Sequence, residues 1–276
     1  VINIGGNFIF IYGVGPIPAL GVAGAALGTA IAQACGGLIA LGVLFRHPVL
    51  RVRLTDSFKP DRSIIRRIAN IGIPAGAEQG MMRVAQLVYT MIVSSLGTVA
   101  YAAHQVALNA ESLSFMPGAG FATASTTLVG QNLGAEDPEG AEQAGRVTRN
   151  LGILVMSIMG VIFLVMPEPI VRIFSSDPEV IELAAICLRL VAIAQPALAT
   201  WMIIAGGLRG AGDTRSILKI VIVGFVLIRV ALAYVLAIQL GWGLIGAWIA
   251  MVIDLFVRGF LIQVRFNKGA WKLLQV

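Results

Sequence analysis

The chain has 276 residues, 58% of them hydrophobic and only 12% charged, with a formal net charge of +6. Soluble domains carry about a quarter charged residues, so this composition excludes a soluble globular protein and describes an integral membrane protein. The positive charge is not a nucleic-acid footprint, because it is concentrated between apolar runs where it sets topology.

Apolar runs punctuated by Gly, Pro and charge predict one partial and seven full membrane helices, over about 1–14, 20–45, 68–93, 100–133, 144–166, 180–207, 216–240 and 243–266. A span of about 20 residues crosses the hydrocarbon. The chain opens inside an apolar segment, without initiator Met, basic n-region or cleavage site, which is the pattern expected of a fragment.

The first run carries Asn3 and Asn7. The second opens on Gly21-Val22-Ala23-Gly24-Ala25, and Gly243-Leu244-Ile245-Gly246-Ala247 repeats that pattern 222 residues later. Both follow a short turn, and both helices run into a basic segment. Small residues at this spacing let helix backbones approach closely in lipid. The pair therefore reads as a parallel internal repeat. On that reading residues 1–45 are the last two helices of one lobe, 46–67 a cytoplasmic linker, and 68–276 a complete six-helix lobe. The fold class is an all-α, polytopic membrane helix bundle.

The linker holds Arg46, Arg51, Arg53, Lys59, Arg62, Arg66 and Arg67, and its end, Arg62 to Ala69, mixes arginine with isoleucine as an amphipathic helix start. Arg146, Arg149, Arg209, Arg215, Lys219, Arg265, Lys268 and Lys272 fall on the same side of the predicted topology. Only Arg172 lies in a loop on the other side. The positive-inside rule then makes the C-terminus cytoplasmic.

An ionisable side chain at the bilayer centre costs about 2.5–3.5 kcal/mol on insertion scales, so the few that lie inside helices are the functional candidates. Glu78 stands about one turn beyond Pro74. Gln79, Arg83 and Gln86 follow on one stripe, with Glu78, Met82, Ala85 and Tyr89 on the next. A carboxylate there takes a proton or cation from a cavity, or else pairs with Arg83 or a neighbouring helix; the spacing leaves both open.

The run from Ala102 to Arg146 carries His104, Gln105, Asn109 and Glu111, then Pro117, Gly118 and Gly120, then Ser125, Thr126 and Thr127. A lipid-facing helix cannot hold so many polar groups, so this one must line protein or water. Glu111 lies on the face of His104, two turns deeper. His104 itself reads as a satisfied histidine at the outer interface. Asp254 and Arg258, four apart, pair along one helix, and Arg189 and Arg229 anchor helix contacts. Gly130 to Gly134 and Leu208 to Arg215 are turns able to act as hinges. Cys35 and Cys187 are small residues in apolar runs. With no Ser/His/Asp set, metal-ligand cluster or nucleotide motif, neither an enzyme nor a metal or cofactor protein is expected.

These pieces together resemble the multidrug and toxic compound extrusion (MATE) family over essentially the whole chain, as helices five to twelve of twelve. The resemblance is carried by Asn3 and Asn7 with Gly21 to Ala26; by Ile73-Pro74 with Glu78-Gln79; and by Ala103 to Ala107 through Met116-Pro117 to Val129-Gly130-Gln131-Asn132-Leu133-Gly134-Ala135. Gln195-Pro196, Leu208 to Thr214, and Gly243 with Gly246-Ala247-Trp248 complete it. It implies a V-shaped pair of six-helix lobes in the inner or plasma membrane. Such a protein works as a monomer among lipids and exports small organic cations or amphipathic drugs in exchange for H⁺ or Na⁺, without a cofactor. Asn3, Asn7 and Glu78 match polar positions of the family. Some members carry their glutamate four residues later, where Met82 stands here, and helix ten offers only Gln195.

The candidates for coupling or substrate binding are therefore Glu78, Gln79, Glu111, Asn109, Asn3 and Asn7. Arg83, Asp254, Arg258 and Gln105 are structural or secondary candidates. The rival readings are a flippase of the related lipid-linked oligosaccharide exporters, which would need Arg83, Arg189 and Arg229 in its cavity, and a non-transporting membrane scaffold.

Overall fold

The computed structural model describes residues 2–14, 18–46 and 60–274, and these divide into two compact units meeting between Asp61 and Arg62. Most of the expected basic linker, 47–59, lies outside the described residues.

The first unit is a helix pair, α1 (Ile2–Tyr12) and α2 (Gly21–Arg46). Gly21 takes a left-handed φ of 53° that starts α2, a conformation glycine adopts without steric cost. Leu20 N donates to Phe10 O at 3.0 Å. Gly24 lies so close to Phe10 that a Cβ would overlap its carbonyl.

The second unit holds α3 (Arg62–Ser94), α4 (Thr98–Gly134), α5 (Pro138–Val165), the short α6 (Pro167–Val171), α7 (Pro178–Gly210), α8 (Thr214–Gln239) and α9 (Gly243–Asn267). Its last helix begins as α2 does. Gly243 takes a φ of 57°, Trp242 N donates to Leu236 O at 3.1 Å, and a Cβ on Gly246 would stand 2.8 Å from that Leu236 carbonyl. The sequence match between Gly21 and Gly243 is thus also a match of turn geometry and helix contact.

Several helices start earlier than hydropathy places them: α3 at Arg62, α5 at Pro138, α7 at Pro178. Their first turns are charged or capped rather than apolar. Asp137 accepts from Gly140 N at 2.8 Å and Asp177 from Glu179 N at 3.0 Å, each followed by Pro at the first helical position. Arg62 to Arg67 are accordingly the opening turns of α3, continuous with the rest of it.

Among the described residues, five helices are long and apolar enough to cross a membrane: α2, α5, α7, α8 and α9. α3 and α4 have the length, 33 and 37 residues, but are too polar for that criterion. Their polar faces turn into the protein instead, as described below.

α7 is the axis of the unit, packing on α4, α5 and α9. The α4–α7 seam is set by small residues. A Cβ on Gly206 or Gly210 would overlap the carbonyls of Ala122 or Thr126, so the backbones touch, as small residues permit in lipid. Thr126 Oγ1 then donates to Gly206 O at 2.9 Å, a side-chain bond between helices.

α8 departs from regular α-geometry. Ile222–Val230 and Tyr234–Gln239 are π-helical, a widening that concentrates at functional sites. The first of these stretches carries Arg229 into the interior.

One end of the unit is held by charge. Asp213 accepts from Arg265 Nε at 2.7 Å, Arg149 donates to Gln263 Oε1 at 2.6 Å, and Glu142 pairs with both Arg146 and Lys272. Trp271 is buried there, stacked on Phe266 at 4.9 Å. Three of the segments that loop charge assigns to one side therefore meet in space.

Candidate functional site

A cavity of ≈ 680 Å³ opens between α3, α4, α7, α8 and α9, within the size range of small-molecule sites. α3 gives it Gln79, Arg83 and Gln86, one turn apart along a stripe, with Met82 from the adjoining one. α4 gives Glu111, Ser112 and Thr123. α7 gives Trp201 and Arg209, α8 gives Phe225 and Arg229, and α9 gives Arg258. The two long helices that fall short of that apolar criterion supply most of its polar wall.

The floor is an ion cluster around Asp254, which has no exposed surface. Arg229 Nε donates to its Oδ2 at 2.8 Å; Arg258 Nε donates to Oδ1 at 2.8 Å and Nη2 to Oδ2 at 2.7 Å. The pairing of Asp254 with Arg258 follows the i, i+4 spacing. Arg229 is the addition, bridging α8 to α9. Arg229 lies 4.2 Å over the Phe225 ring and Arg258 4.8 Å over Trp201, contacts that hold each guanidinium plane while leaving its edges free for acceptors.

Glu78 does not line this cavity. It is buried on α3, its Oε1 accepts from Arg209 Nη2, and its Oε2 has no partner among the described residues. Of the two readings its spacing left open, the partner on a neighbouring helix is the one present. Arg209, in the last turn of α7 and expected from the sequence only as a topology charge, is that partner. Thr214 Oγ1 donates to Ile71 O at 3.2 Å, tying the same turn to α3.

Gln79, Arg83 and Glu111 come together in the cavity. Asn109 and Gln105 do not: both are exposed on α4 outside the cavity lining, and Gln105 donates to Tyr101 Oη at 2.8 Å. Asn3 and Asn7 belong to the first unit. Asn3 donates to Thr29 Oγ1 at 3.2 Å, Asn7 donates to Asn3 Oδ1 at 3.3 Å, and Asn7 Oδ1 is buried without a partner among the described residues.

His104 overturns its expectation. It is buried, wedged between Tyr89 and Trp248 with ring centroids 5.7 and 5.8 Å away, and neither ring nitrogen has a partner among the described residues. A histidine on the inner face of α4 meets aromatic rings rather than interfacial water. Gln195 is likewise buried and unbonded on α7. Among the described residues, no group of three or more His, Cys, Asp or Glu could hold a metal ion.

An all-helical, polytopic membrane protein built around a charged internal cavity is the class these observations define. The MatE family model matches residues 74–235, and the chain belongs to that family. It is 32% identical over 271 residues to a probable multidrug resistance protein NorM of Thermotoga maritima, covering 98% of this chain and 58% of that protein. It is also 32% identical over 278 residues to multidrug resistance protein MdtK of Yersinia pseudotuberculosis, covering 97% and 60%. The chain thus spans about three-fifths of the relatives it matches. Among solved structures, an outward-facing multidrug resistance MATE family transporter superposes with a TM-score of 0.86 over 97% of this chain and 60% of that one, at 23% identity. That likeness concerns the fold.

Proposed function

We propose that this chain is part of a secondary transporter that exports amphipathic organic compounds by antiport with H⁺ or Na⁺. The observation that carries the proposal is the Glu111 carboxylate opening into a drug-sized cavity inside a MatE helix bundle. The multidrug-resistance names of the relatives support the substrate class. Glu111 and Gln79 bind the coupling cation or a positive group of the substrate from the cavity side. Glu78, gripped by Arg209, ties α3 to the end of α7, so occupancy of the cavity biases how these helices pack. Asn3 and Asn7, with an unbonded buried oxygen, are the second candidate place for a cation.

In this reading residues 1–45 close the first lobe, 46–67 link the lobes, and 68–276 form the second. The protein sits as a monomer in the inner or plasma membrane. The end held by Asp213–Arg265 and Glu142–Lys272 faces the cytoplasm, with the C-terminus.

The test is dye efflux from proteoliposomes containing the full-length protein under an imposed H⁺ or Na⁺ gradient. Glu111→Gln and Glu78→Gln are expected to abolish gradient-driven efflux without lowering membrane insertion. Efflux at the wild-type rate in both variants would remove the carboxylates from the mechanism.

A further inference from the structure

The charge of the cavity bears on what it carries. Four guanidinium groups line it, those of Arg83, Arg209, Arg229 and Arg258, whereas Glu111 is its one lining carboxylate. Glu78 neutralises Arg209 from behind, and Asp254 lies beneath Arg229 and Arg258. Four positive groups against three negative ones leave one positive charge in excess. Surrounding apolar helices strengthen its field relative to water.

The excess has a location. Arg83 is exposed on α3 and has no ion-pair partner among the described residues. Arg229 uses only Nε for Asp254, which leaves its two terminal nitrogens without a hydrogen bond among the described residues. Beside them lie Trp201, Phe225 and Phe115, which give the cavity an aromatic wall. A compact cation entering here meets repulsion from two arginines and has one carboxylate to approach. A planar anionic group meets free N–H edges suited to carboxylate or sulfonate oxygens.

We propose that the cavity takes the anionic end of an aromatic amphipathic molecule, held by Arg83 and Arg229, so that the exported compound is an organic anion or zwitterion rather than a simple cation. This rests on the export reading above, and in a zwitterion the ammonium falls to Glu111.

The test compares naphthalenesulfonate with naphthylmethylammonium, which share one ring system and differ in charge. Binding to the full-length protein in phosphatidylcholine nanodiscs is measured by equilibrium dialysis, and gradient-driven transport of each probe separately in proteoliposomes. The sulfonate is expected to bind at least about tenfold more tightly, the difference one charge-assisted contact supplies. Arg83→Gln, which breaks no ion pair, is expected to weaken the sulfonate by about tenfold and leave the ammonium unchanged or tighter. Equal affinities, tighter ammonium binding, or sulfonate binding indifferent to Arg83→Gln overturns the inference. Transport of the ammonium without sulfonate preference would do so while leaving export intact. Sulfonate preference with no transport of either probe would instead remove the export reading and keep the anion site.

Discussion

Arg229 Nε on α8 donates to Asp254 Oδ2 on α9 across 2.8 Å, and Asp254 holds Arg258 through its other side. One buried carboxylate thus keeps two like charges together. Asp254→Asn removes the one carboxylate paired with both among the described residues, and the loss of a buried partner costs about 3–5 kcal/mol. A lower midpoint of thermal unfolding in detergent is the expected result. An unchanged midpoint would mean that the cluster contributes nothing to stability.

The Glu78–Arg209 pair is asymmetric. The Glu78 side chain is 1% exposed and that of Arg209 35%. Arg209→Ala strands a buried carboxylate and is expected to destabilise by about 3–5 kcal/mol. Glu78→Gln keeps an acceptor for the guanidinium and leaves no buried charge, so its cost is about 1 kcal/mol. Denaturation of the two variants side by side checks the order, and the reverse order contradicts it.

Gly206 and Gly120 separate close packing from helix propensity. A Cβ on Gly206 would overlap the Ala122 carbonyl, whereas one on Gly120 meets nothing within 4 Å. Gly206→Ala is expected to cost about 1–3 kcal/mol through overpacking of the α4–α7 seam. Gly120→Ala is expected to be neutral or to add up to about 1 kcal/mol from helix propensity. Equal melting temperatures for the two would argue against direct backbone contact.

His104 holds two buried polar nitrogens without partners among the described residues. His104→Leu removes both and keeps an apolar contact with Tyr89 and Trp248. Stability unchanged or raised by about 1 kcal/mol is expected, with efflux retained. If the stable variant loses efflux, the ring carries a proton in the cycle.

Much of the site was legible by spacing along single helices. The stripe Gln79, Arg83, Gln86 on α3 does line a cavity, and Asp254 with Arg258 does pair, because residues three, four and seven apart on one helix share a face. The matching helix starts at Gly21 and Gly243 were legible for the same local reason: small residues after a turn admit a neighbouring backbone, and Gly24 and Gly246 each do so. Partners between helices were not legible. Arg209 looked like one more loop charge, and Arg229, expected to anchor a helix contact, carried no sign that its partner would be Asp254. His104 was assigned to the interface because a helix position says how far along a residue lies, and says nothing about what stands opposite.

Sequence alone determined that this is a polytopic helical membrane protein, and that α4 carries too many polar groups to meet lipid all round. Those properties follow from hydropathy and helical period, which are local. Tertiary structure alone decided which charges meet between helices: Glu78 with Arg209, Arg229 with Asp254, and Arg83 with no ion-pair partner among the described residues. A buried charge is defined by groups distant in sequence, 131 residues apart for Glu78 and Arg209, and only packing of the helices brings such groups within bonding distance.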